Sequence, residues 1–312
     1  MMGRLLVTGG AGFIGSHIID TALEAGWEVA ALDNLSTGSR DNLPGDVPLY
    51  EVDLRHPEAV HAAVADFRPT VISHQAAQAS VSVSVRQPVL DADINILGGL
   101  NLLMAAHHYG TERVIFASTG GAIYGEVDAG RADESAPVRP YSPYATSKLA
   151  FEYYLQTFYQ QWGLEFTVLR YANVYGPRQN PHGEAGVVAI FTARLQAGLP
   201  LQINAREEPG DDGCVRDYVY VGDVARANLR AATGQIPRLM NVGTGAETTT
   251  RQLAQQLAAT LGRPAELEFG PHRSGDLKRS VLDPGMSRAA LGEPLDLTAG
   301  LQHLANWLEA RT

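Results

Sequence analysis

The first half of the chain alternates short apolar runs with longer stretches in which apolar residues recur at helical spacing. The apolar runs predict buried strands at Arg4–Val7, Val29–Leu32, Thr70–Ser73, Val114–Ser118 and Phe166–Leu169. The segments between them predict amphipathic helices, among them Phe13–Ala25, Val89–Tyr109 and Pro143–Trp162. Strands that alternate with helices in this way typically form a doubly wound parallel sheet, so the predicted fold class is α/β.

The regular alternation ends near Pro177, beyond which glycine, proline and charged residues become common and the predicted elements become short. We therefore expect residues 1–176 to form the main domain. Residues 177–312 are expected to form most of a smaller α/β lobe, with segments exchanged between the two. A ligand-binding cleft is expected between the domain and the lobe.

Composition narrows the range of partners. The 312 residues carry a formal net charge of −10 and no dense run of Lys or Arg, which argues against nucleic acid or an anionic membrane as a partner. Cys214 is the sole cysteine, which excludes an internal disulfide and a multi-cysteine zinc site, and no metal site is expected. The amino terminus lacks a signal-like apolar stretch, and we expect no later stretch to reach membrane-spanning length. A cytoplasmic location is therefore expected.

A glycine-rich loop follows the first predicted strand. The segment Thr8–Gly15 places Gly9, Gly12 and Gly15 where a helix begins. Glycines there allow a tight turn and the close approach of a pyrophosphate, which the N–H groups of the helix N-terminus can bind. The second strand ends at Asp33, whose carboxylate suits the adenosine-ribose hydroxyls of NAD and repels the 2′-phosphate of NADP. These features predict a Rossmann domain that binds NAD.

A tyrosine and a lysine form the second candidate feature. Tyr144 and Lys148 lie four residues apart in the segment SPYATSK, at the start of a predicted helix. That spacing places both side chains on one helical face. A lysine ammonium beside a tyrosine favours the phenolate form, which can act as a base. By itself the pair is equally compatible with an ordinary helix surface.

Together with the glycine-rich loop, the pair closely resembles the extended branch of the short-chain dehydrogenase/reductase superfamily, and within it the NAD-dependent nucleotide-sugar epimerases of the UDP-glucose 4-epimerase type. Further matching segments are DNLSTG at Asp33–Gly38, DL at Asp53–Leu54, HQAA at His74–Ala77, STGGAIYG at Ser118–Gly125, YANVYGPRQ at Tyr171–Gln179, RDYVYVGDV at Arg216–Val224 and RSGD at Arg273–Asp276. The resemblance covers essentially the whole chain, with the motifs in the family's order.

The resemblance implies two sets of binding residues. Those implied to contact NAD are Gly9, Gly12, Phe13, Ile14, Gly15, Asp33, Asn34, Leu35, Ser36, Thr37, Gly38, Asp53, Leu54, Gln75, Ala76, Ala77, Asn95, Ser118, Tyr144, Lys148 and Tyr171. Those implied to contact the nucleotide sugar are Asn173, Gly186, Val187, Val188, Arg216, Arg273, Asp276 and Ser280. The planar, charged fork of arginine suits a pyrophosphate held by an acidic protein.

The resemblance also implies the reaction, a 4-epimerisation of UDP-sugars through a transient 4-keto intermediate. Tyr144 is implied as the base and Lys148 as its cationic partner. Relatives usually carry Ser or Thr at the position of Gly120, so we expect Thr119 to supply the missing hydroxyl. Because Ser280 is small, we expect the N-acetylated sugar pair to be accepted as well as UDP-glucose and UDP-galactose.

The resemblance further implies a homodimer, with Leu100–Tyr109 and Phe151–Phe158 as candidate helical faces. Gly121 and Ala122 stand where related dehydratases and decarboxylases carry acidic residues, which argues against those reactions. A UDP-uronate epimerase, a dTDP-sugar epimerase and a non-catalytic NAD-sensing protein remain open alternatives.

Overall fold

The computed structural model describes residues 3–127, 130–181, 186–273 and 275–311. In these residues the strands are β1 (Arg4–Thr8), β2 (Glu28–Asp33), β3 (Leu49–Glu51), β4 (Val71–His74), β5 (Arg113–Thr119), β6 (Glu165–Tyr171), β7 (Asn173–Tyr175), β8 (Leu201–Asn204), β9 (Val215–Arg216), β10 (Tyr218–Tyr220), β11 (Leu239–Val242), β12 (Thr248–Thr249), β13 (Leu267–Gly270) and β14 (Arg279–Ser280).

The helices in the same residues are α1 (Phe13–Glu24), α2 (Pro57–Phe67), α3 (Val81–Arg86), α4 (Pro88–Ala92), α5 (Gly99–His108), α6 (Gly120–Ile123), α7 (Pro143–Trp162), α8 (Val187–Gln196), α9 (Val221–Ala232), α10 (Thr250–Thr260), α11 (Gly285–Leu291) and α12 (Leu297–Glu309). A π-helical turn, Asp93–Gly98, joins α4 to α5.

A seven-stranded sheet in the order β3-β2-β1-β4-β5-β6-β11 confirms the predicted α/β fold. The pairs β1–β2, β1–β4, β4–β5 and β2–β3 are parallel. The strand order reverses direction at β1 and β4, and in open α/β sheets ligands bind outside the carboxyl ends of the strands at such a switch point. The sheet therefore positions the residues that follow β1, β4 and β5 for binding.

The chain divides into two compact units. Each unit consists of three separate segments, so the division is not the single boundary at residue 176 expected from the sequence. The first unit comprises Met1–Thr119, Pro140–Arg170 and Val224–Met240, and the second comprises Gly120–Arg139, Tyr171–Asp223 and Asn241–Thr312. Residues 224–240 join the first unit because Asn228 of α9 accepts hydrogen bonds from Ser73 and Gln75, at 3.0 and 3.1 Å. Such long-range bonds leave no trace in local sequence pattern.

Each unit has its own apolar core. In the first, buried strand residues such as Leu6, Ile72 and Phe116 pack with helix residues such as Leu102 and Phe151. In the second, the core includes Tyr175, Phe191, Leu201, Leu253 and Leu301. Burial of this kind supplies the main stabilisation of both units.

The helical run Pro88–His108 corrects one expectation from the sequence. It spans 21 residues and is apolar enough, by length and composition alone, to cross a membrane. Leu102 and Leu103 are fully buried in the first unit's core, and the run also contains the buried polar residues Asp91 and Asn95. These contacts are those of a core helix, which passes the same test of length and composition.

Candidate active site

The loop after β1 is built from glycines that leave no room for side chains. Gly9 has a φ of +66°, and a Cβ atom at Gly15 would lie 2.1 Å from the Gly9 carbonyl oxygen. The Gly12 N–H donates to that same oxygen at 3.1 Å, and α1 begins at the next residue with no side-chain cap. The first N–H groups of α1 are therefore available for an anion such as a pyrophosphate.

Two other glycines support the loop. A Cβ at Gly10 would lie 2.7 Å from the Ala31 Cβ, and one at Gly38 would lie 2.9 Å from the Ala11 carbonyl carbon. Gly38 was among the predicted cofactor residues, whereas Gly10 was not. The consecutive glycines of the TGG segment were the available signal for Gly10.

Asp33, at the end of β2, holds the glycine-rich loop in place. Its Oδ2 accepts from the Ala11 N–H at 3.0 Å and its Oδ1 accepts from the Leu35 N–H at 2.9 Å. Burial raises the pKa of Asp33 above its usual value, although hydrogen bonds from backbone N–H groups oppose that rise. Each carboxylate oxygen can accept a further hydrogen bond, as ribose recognition requires.

The next predicted cofactor residues form a polar rim. Asn34 donates from Nδ2 to the Asp53 Oδ2 at 3.0 Å and accepts from the Ser36 N–H at 3.1 Å. Asp53 also binds the Arg55 guanidinium through two hydrogen bonds of 2.8 and 3.0 Å, and this partner holds the pKa of Asp53 well below its usual range. Sequence reasoning missed Arg55, which lies in no recognisable motif.

The other predicted cofactor residues differ in exposure. Thr37 is exposed, Phe13, Ile14 and Ala77 are half-buried, and Leu54 and Tyr171 are buried.

The segment after β4 is fixed by buried side chains. The Ala76 N–H donates to the Thr8 Oγ1 at 3.2 Å, and Gln75 donates from Nε2 to the Ser73 Oγ at 2.9 Å. Asn95, on the π-helical turn, accepts from the Gln78 N–H and donates to the Gln78 carbonyl, both at 2.9 Å. The amide of Asn95 therefore holds the backbone at Gln78, directly after the predicted cofactor residues Gln75–Ala77.

Tyr144, Lys148 and Thr119 come together in the first unit. Tyr144 lies in the first turn of α7, and the Thr119 side chain lies close enough to its phenol to lower the phenol's pKa. The Lys148 Nζ lies 5.8 Å from the centre of the Tyr144 ring and donates to the Ala117 carbonyl at 2.9 Å. The structure thus brings the three predicted catalytic residues close together, and their catalytic roles stay predictions.

The pKa directions at this pair differ from the expectation that the protein favours the phenolate. Burial lowers the pKa of Lys148 to about 8, opposed by the nearby carboxylates of Asp91 and Glu152. Burial raises the pKa of Tyr144 to about 12, opposed by its hydrogen bond from Thr119 and reinforced by Asp91. Tyr144 is therefore a neutral phenol in the protein alone, because desolvation disfavours its anion.

Ser118 has a partner that the sequence did not indicate. Its hydroxyl donates to the Glu152 Oε1 at 2.5 Å, and Glu152 binds the guanidinium of Arg170 at 3.0 and 2.6 Å. Arg170 is 4% exposed, so this is a buried ion pair. Ser118 was predicted to contact the cofactor; its hydroxyl donates to this ion pair, and the cofactor contact stays a prediction.

His74, at the end of β4, is a buried residue near Lys148. Its Nδ1 lies 2.8 Å from the Thr8 Oγ1, and its ring packs against Phe116 and Phe151. Burial, together with the nearby charge of Lys148, lowers the pKa of His74 to about 3, so the ring is neutral at physiological pH.

In the second unit, the predicted substrate residues Arg216 and Ser280 lie on the paired strands β9 and β14, and Asn173 lies on β7, which pairs with β10. Asn173 donates from Nδ2 to the Asp217 carbonyl at 3.1 Å, and Ser280 pairs in register with Arg216. Ser280 is buried and its hydroxyl donates to the Gly121 carbonyl at 3.0 Å. Ser280 is the second residue of β14, a strand of two residues that pairs with β9.

The remaining predicted substrate residues lie at a helix start and in a turn. Gly186 caps α8, Val187 opens it, and the Val188 side chain is buried in the second unit's core. Only the backbone of Val188 is therefore available to a ligand. Arg273 is exposed, and its carbonyl accepts from the Asp276 N–H at 3.1 Å; Ser274 of the RSGD segment lies outside the described residues.

The segment 205–213, which had no predicted role, is organised by one carboxylate. Asp211 accepts hydrogen bonds from the N–H groups of Arg206, Glu207, Glu208 and Gly213. Burial raises the pKa of Asp211, but these four donors outweigh burial and hold it well below its usual range. The acidic, glycine-rich composition thus encodes a self-capped turn.

Comparison with known proteins agrees with this geometry. A crystal structure of Thermus thermophilus UDP-glucose 4-epimerase in complex with NAD is 54% identical, with a TM-score of 0.94 over 99% of this chain and 100% of that one. A UDP-glucose 4-epimerase from Thermotoga maritima with UDP-glucose is 45% identical, with a TM-score of 0.93 over 99% of both chains. The UDP-glucose 4-epimerase of Mycolicibacterium smegmatis is 45% identical over 295 residues, which cover 93% of this chain and 92% of that protein.

The profile of the NAD dependent epimerase/dehydratase family matches residues 5–243, well over half of the chain. This match confirms the resemblance that the sequence motifs indicated. The chain belongs to the NAD dependent epimerase/dehydratase family.

Proposed function

We propose that this protein interconverts UDP-glucose and UDP-galactose through a transient 4-keto sugar, with NAD as its resident cofactor. The observation that carries the proposal is the convergence of Thr119 and Lys148 on Tyr144. A sensor of NAD would need the dinucleotide loop but not this buried acid–base group. The named activity of the relatives at 45% and 54% identity supports the same reaction.

The first unit suits NAD. The glycine-rich loop has no space for Cβ atoms at Gly10 and Gly15, and the first N–H groups of α1 follow it directly. Asp33 presents a carboxylate at the end of β2, which favours a free ribose 2′-hydroxyl over a 2′-phosphate. When bound, NAD supplies a hydride acceptor that returns the hydride later in the cycle, so the reaction has no net redox change.

The catalytic group then has a defined task. The C–H bond at the sugar's C4 is too weakly acidic for direct deprotonation, so inversion proceeds through oxidation of the 4-hydroxyl. Tyr144 acts as the base only after its phenol proton has passed to solvent; the phenolate then accepts the 4-hydroxyl proton, and the Thr119 side chain lies beside it and lowers its pKa. The Lys148 ammonium offsets part of the cost of the phenolate, which burial otherwise makes unfavourable.

In the second unit, Asn173, Arg216, Ser280 and the Arg273–Asp276 turn are the proposed contacts of the nucleotide sugar. Arg216 and Ser280 are neighbours on paired strands, so one can bind phosphate while the other faces the sugar. The start of α8, at Gly186 and Val187, offers backbone N–H groups to the same ligand.

The test is incubation with UDP-galactose and no added NAD, with the product identified by NMR. An epimerase that keeps its cofactor yields UDP-glucose, and the denatured protein releases NAD rather than NADP. Equilibration of a UDP-uronate or a dTDP-sugar, with none of UDP-galactose, would replace the proposed substrate. Failure to convert any of these sugars would leave an NAD-binding protein without this activity.

A second substrate pair follows from Ser280. A small residue beside the sugar leaves space for an N-acetyl group, and we expect UDP-N-acetylglucosamine and UDP-N-acetylgalactosamine to be interconverted too. A Ser280→Tyr variant should lose this pair and keep the plain hexoses. Equal loss of both activities, or of neither, would show that Ser280 does not select the substituent.

We further propose a cytoplasmic homodimer. Of the two predicted helical faces, Leu102, Leu103, Phe151, Leu155 and Phe158 are buried in the core of the first unit. The exposed apolar residues of these helices are Met104, Tyr153, Tyr154 and Trp162, with Leu97 just before α5. Sedimentation of the purified protein measures the state directly, and a Met104→Glu variant should shift it to monomer. The absence of nucleic-acid and membrane partners stays a prediction from the net charge of −10.

A further inference from the structure

A buried carboxylate that matches no motif lies among the candidate catalytic and cofactor residues. Asp91, in the short helix α4, is fully buried, at 0% exposure. It accepts hydrogen bonds from the Ser147 Oγ at 2.6 Å, the Gln78 Nε2 at 2.8 Å and the Asn95 Nδ2 at 3.1 Å. All three contacts are donated to Asp91, which is the pattern expected of an ionised carboxylate.

The three donors come from three different elements of the first unit. Ser147 lies on α7 between Tyr144 and Lys148, Gln78 follows β4, and Asn95 lies on the π-helical turn. π-helical turns often occur at functional sites because they redirect one side chain out of the regular pattern. Asp91 therefore links α7, which carries Tyr144 and Lys148, to the segment after β4 that contains the predicted cofactor residues Gln75–Ala77.

The charges around Lys148 indicate a second, electrostatic role for Asp91. Glu152, one turn further along α7, is paired with the Arg170 guanidinium at 2.6 Å. His74 on β4 is neutral, and so is the Tyr144 phenol. Two carboxylates, Asp91 and Glu152, act on the Lys148 ammonium. Glu152 is already paired with Arg170, whereas the donors that the structure shows on Asp91 are neutral, so the charge of Asp91 is not shared with another cation.

We propose that Asp91 is a positioning residue for the epimerisation: its carboxylate orients α7 through Ser147 and supplies the counter-charge that keeps Lys148 an ammonium beside Tyr144. This inference rests on the proposed function for its catalytic consequence but not for its electrostatic one. Asp91 raises the pKa of both Lys148 and Tyr144, which gives a signature that simple loss of packing does not.

The first experiment measures kcat and KM against pH for the cofactor-loaded Asp91→Asn variant. Asn keeps the shape and removes the charge, so the pH at which activity is lost on the alkaline side should fall by about one unit, because Lys148 deprotonates earlier. The value of kcat should fall about tenfold or more, with KM for UDP-galactose changed less than about twofold.

Two controls separate charge from packing. Ser147→Ala removes one hydrogen bond and keeps the charge, so it should lower kcat without moving the alkaline limb. Asp223→Asn removes a different buried carboxylate, one that accepts from the Leu295 N–H, and should leave the limb in place. An unmoved limb in Asp91→Asn, or an equal shift in Ser147→Ala, would overturn the proposal.

A stability cycle tests the charge pairing without any activity. Lys148→Met should destabilise the protein and leave Asp91 as an unbalanced buried charge, so adding Asp91→Asn should raise the melting temperature of that variant. This double variant remains informative even if Asp91→Asn alone does not fold. If the double variant melts lower than Lys148→Met, the counter-charge role is wrong. If the cycle shows coupling but no UDP-sugar is converted, the proposed function fails and the pairing stands.

Discussion

The candidate catalytic residues of the first unit and the candidate nucleotide residues of the second are built in opposite ways. Lys148, Asp91 and Arg170 are buried, Glu152 is half-buried, and all four are held by hydrogen bonds within the unit. Arg273, in contrast, is exposed and lies in a turn, while Arg216 and Ser280 belong to strands of two residues.

The difference follows from the two tasks. Proton transfer needs a precise distance and a controlled charge, and both are easiest to maintain where water is excluded and every partner is satisfied. Recognition of a diphosphate needs cations that a ligand can reach, and arginines at a surface remain accessible and charged. We therefore expect substitutions in the first unit to change kcat and those in the second to change KM.

The strongest test is Tyr144→Phe. Loss of the phenolic oxygen removes the base and should lower kcat by about a thousandfold, within the usual range for general acid–base groups. KM and the NAD content should hardly change, because the ring remains. Steady-state kinetics and cofactor release after denaturation measure these quantities, and Tyr141→Phe, at an exposed tyrosine, is the matched control. A near-normal rate would remove Tyr144 from the mechanism.

The next effect concerns the second unit. Arg273→Ala should raise KM for UDP-galactose by about ten- to a hundredfold, the effect of losing a hydrogen bond to a charged group worth roughly 1.5–3 kcal/mol. Because the arginine is exposed, the fold should survive, and the melting temperature checks this. Arg263→Ala removes another exposed arginine of the same unit and serves as the control. A fall in kcat with unchanged KM would contradict the division between the units.

A smaller effect is expected for Thr119→Ala. The variant loses a hydrogen bond that opposes the rise in the Tyr144 pKa, so kcat should fall by about tenfold. The acidic limb of the pH profile should move upward, because the phenolate becomes harder to form. Thr157→Ala, on the exposed side of α7, controls for loss of a hydroxyl. If Thr119→Ala turns over at the wild-type rate, the hydroxyl is supplied by another group.

The smallest effect is in the wild-type pH profile itself. The pKa of Lys148 is lowered to about 8, so the ammonium is present below that pH and lost above it. We expect kcat to decline on the alkaline side of this value while KM stays level, because arginines keep their charge throughout the range. A KM that rises together with the decline in kcat would show that the titrating group also binds the nucleotide.

The sequence predicted the first unit well because its signals are local. The apolar runs correspond to β1, β2, β4, β5 and β6, and the glycine-rich loop and Asp33 follow directly from the strand–helix pattern. The three-residue strand β3 and the two-residue strands of the second unit were not predicted, because so few residues show no periodicity. Tyr144 and Lys148 could be predicted as a pair because residues four apart in a helix lie on the same face.

Which polar and charged groups come into contact inside the first unit could be learned only from the tertiary structure. Glu152 meets Ser118, which lies 34 residues earlier, and Asp91 meets Ser147, which lies 56 residues later. The same holds for the pKa of Tyr144, which the spacing with Lys148 suggested would be low and which burial instead raises to about 12. Sequence spacing fixes which residues share one helix, whereas desolvation and charge balance depend on every element packed around the site.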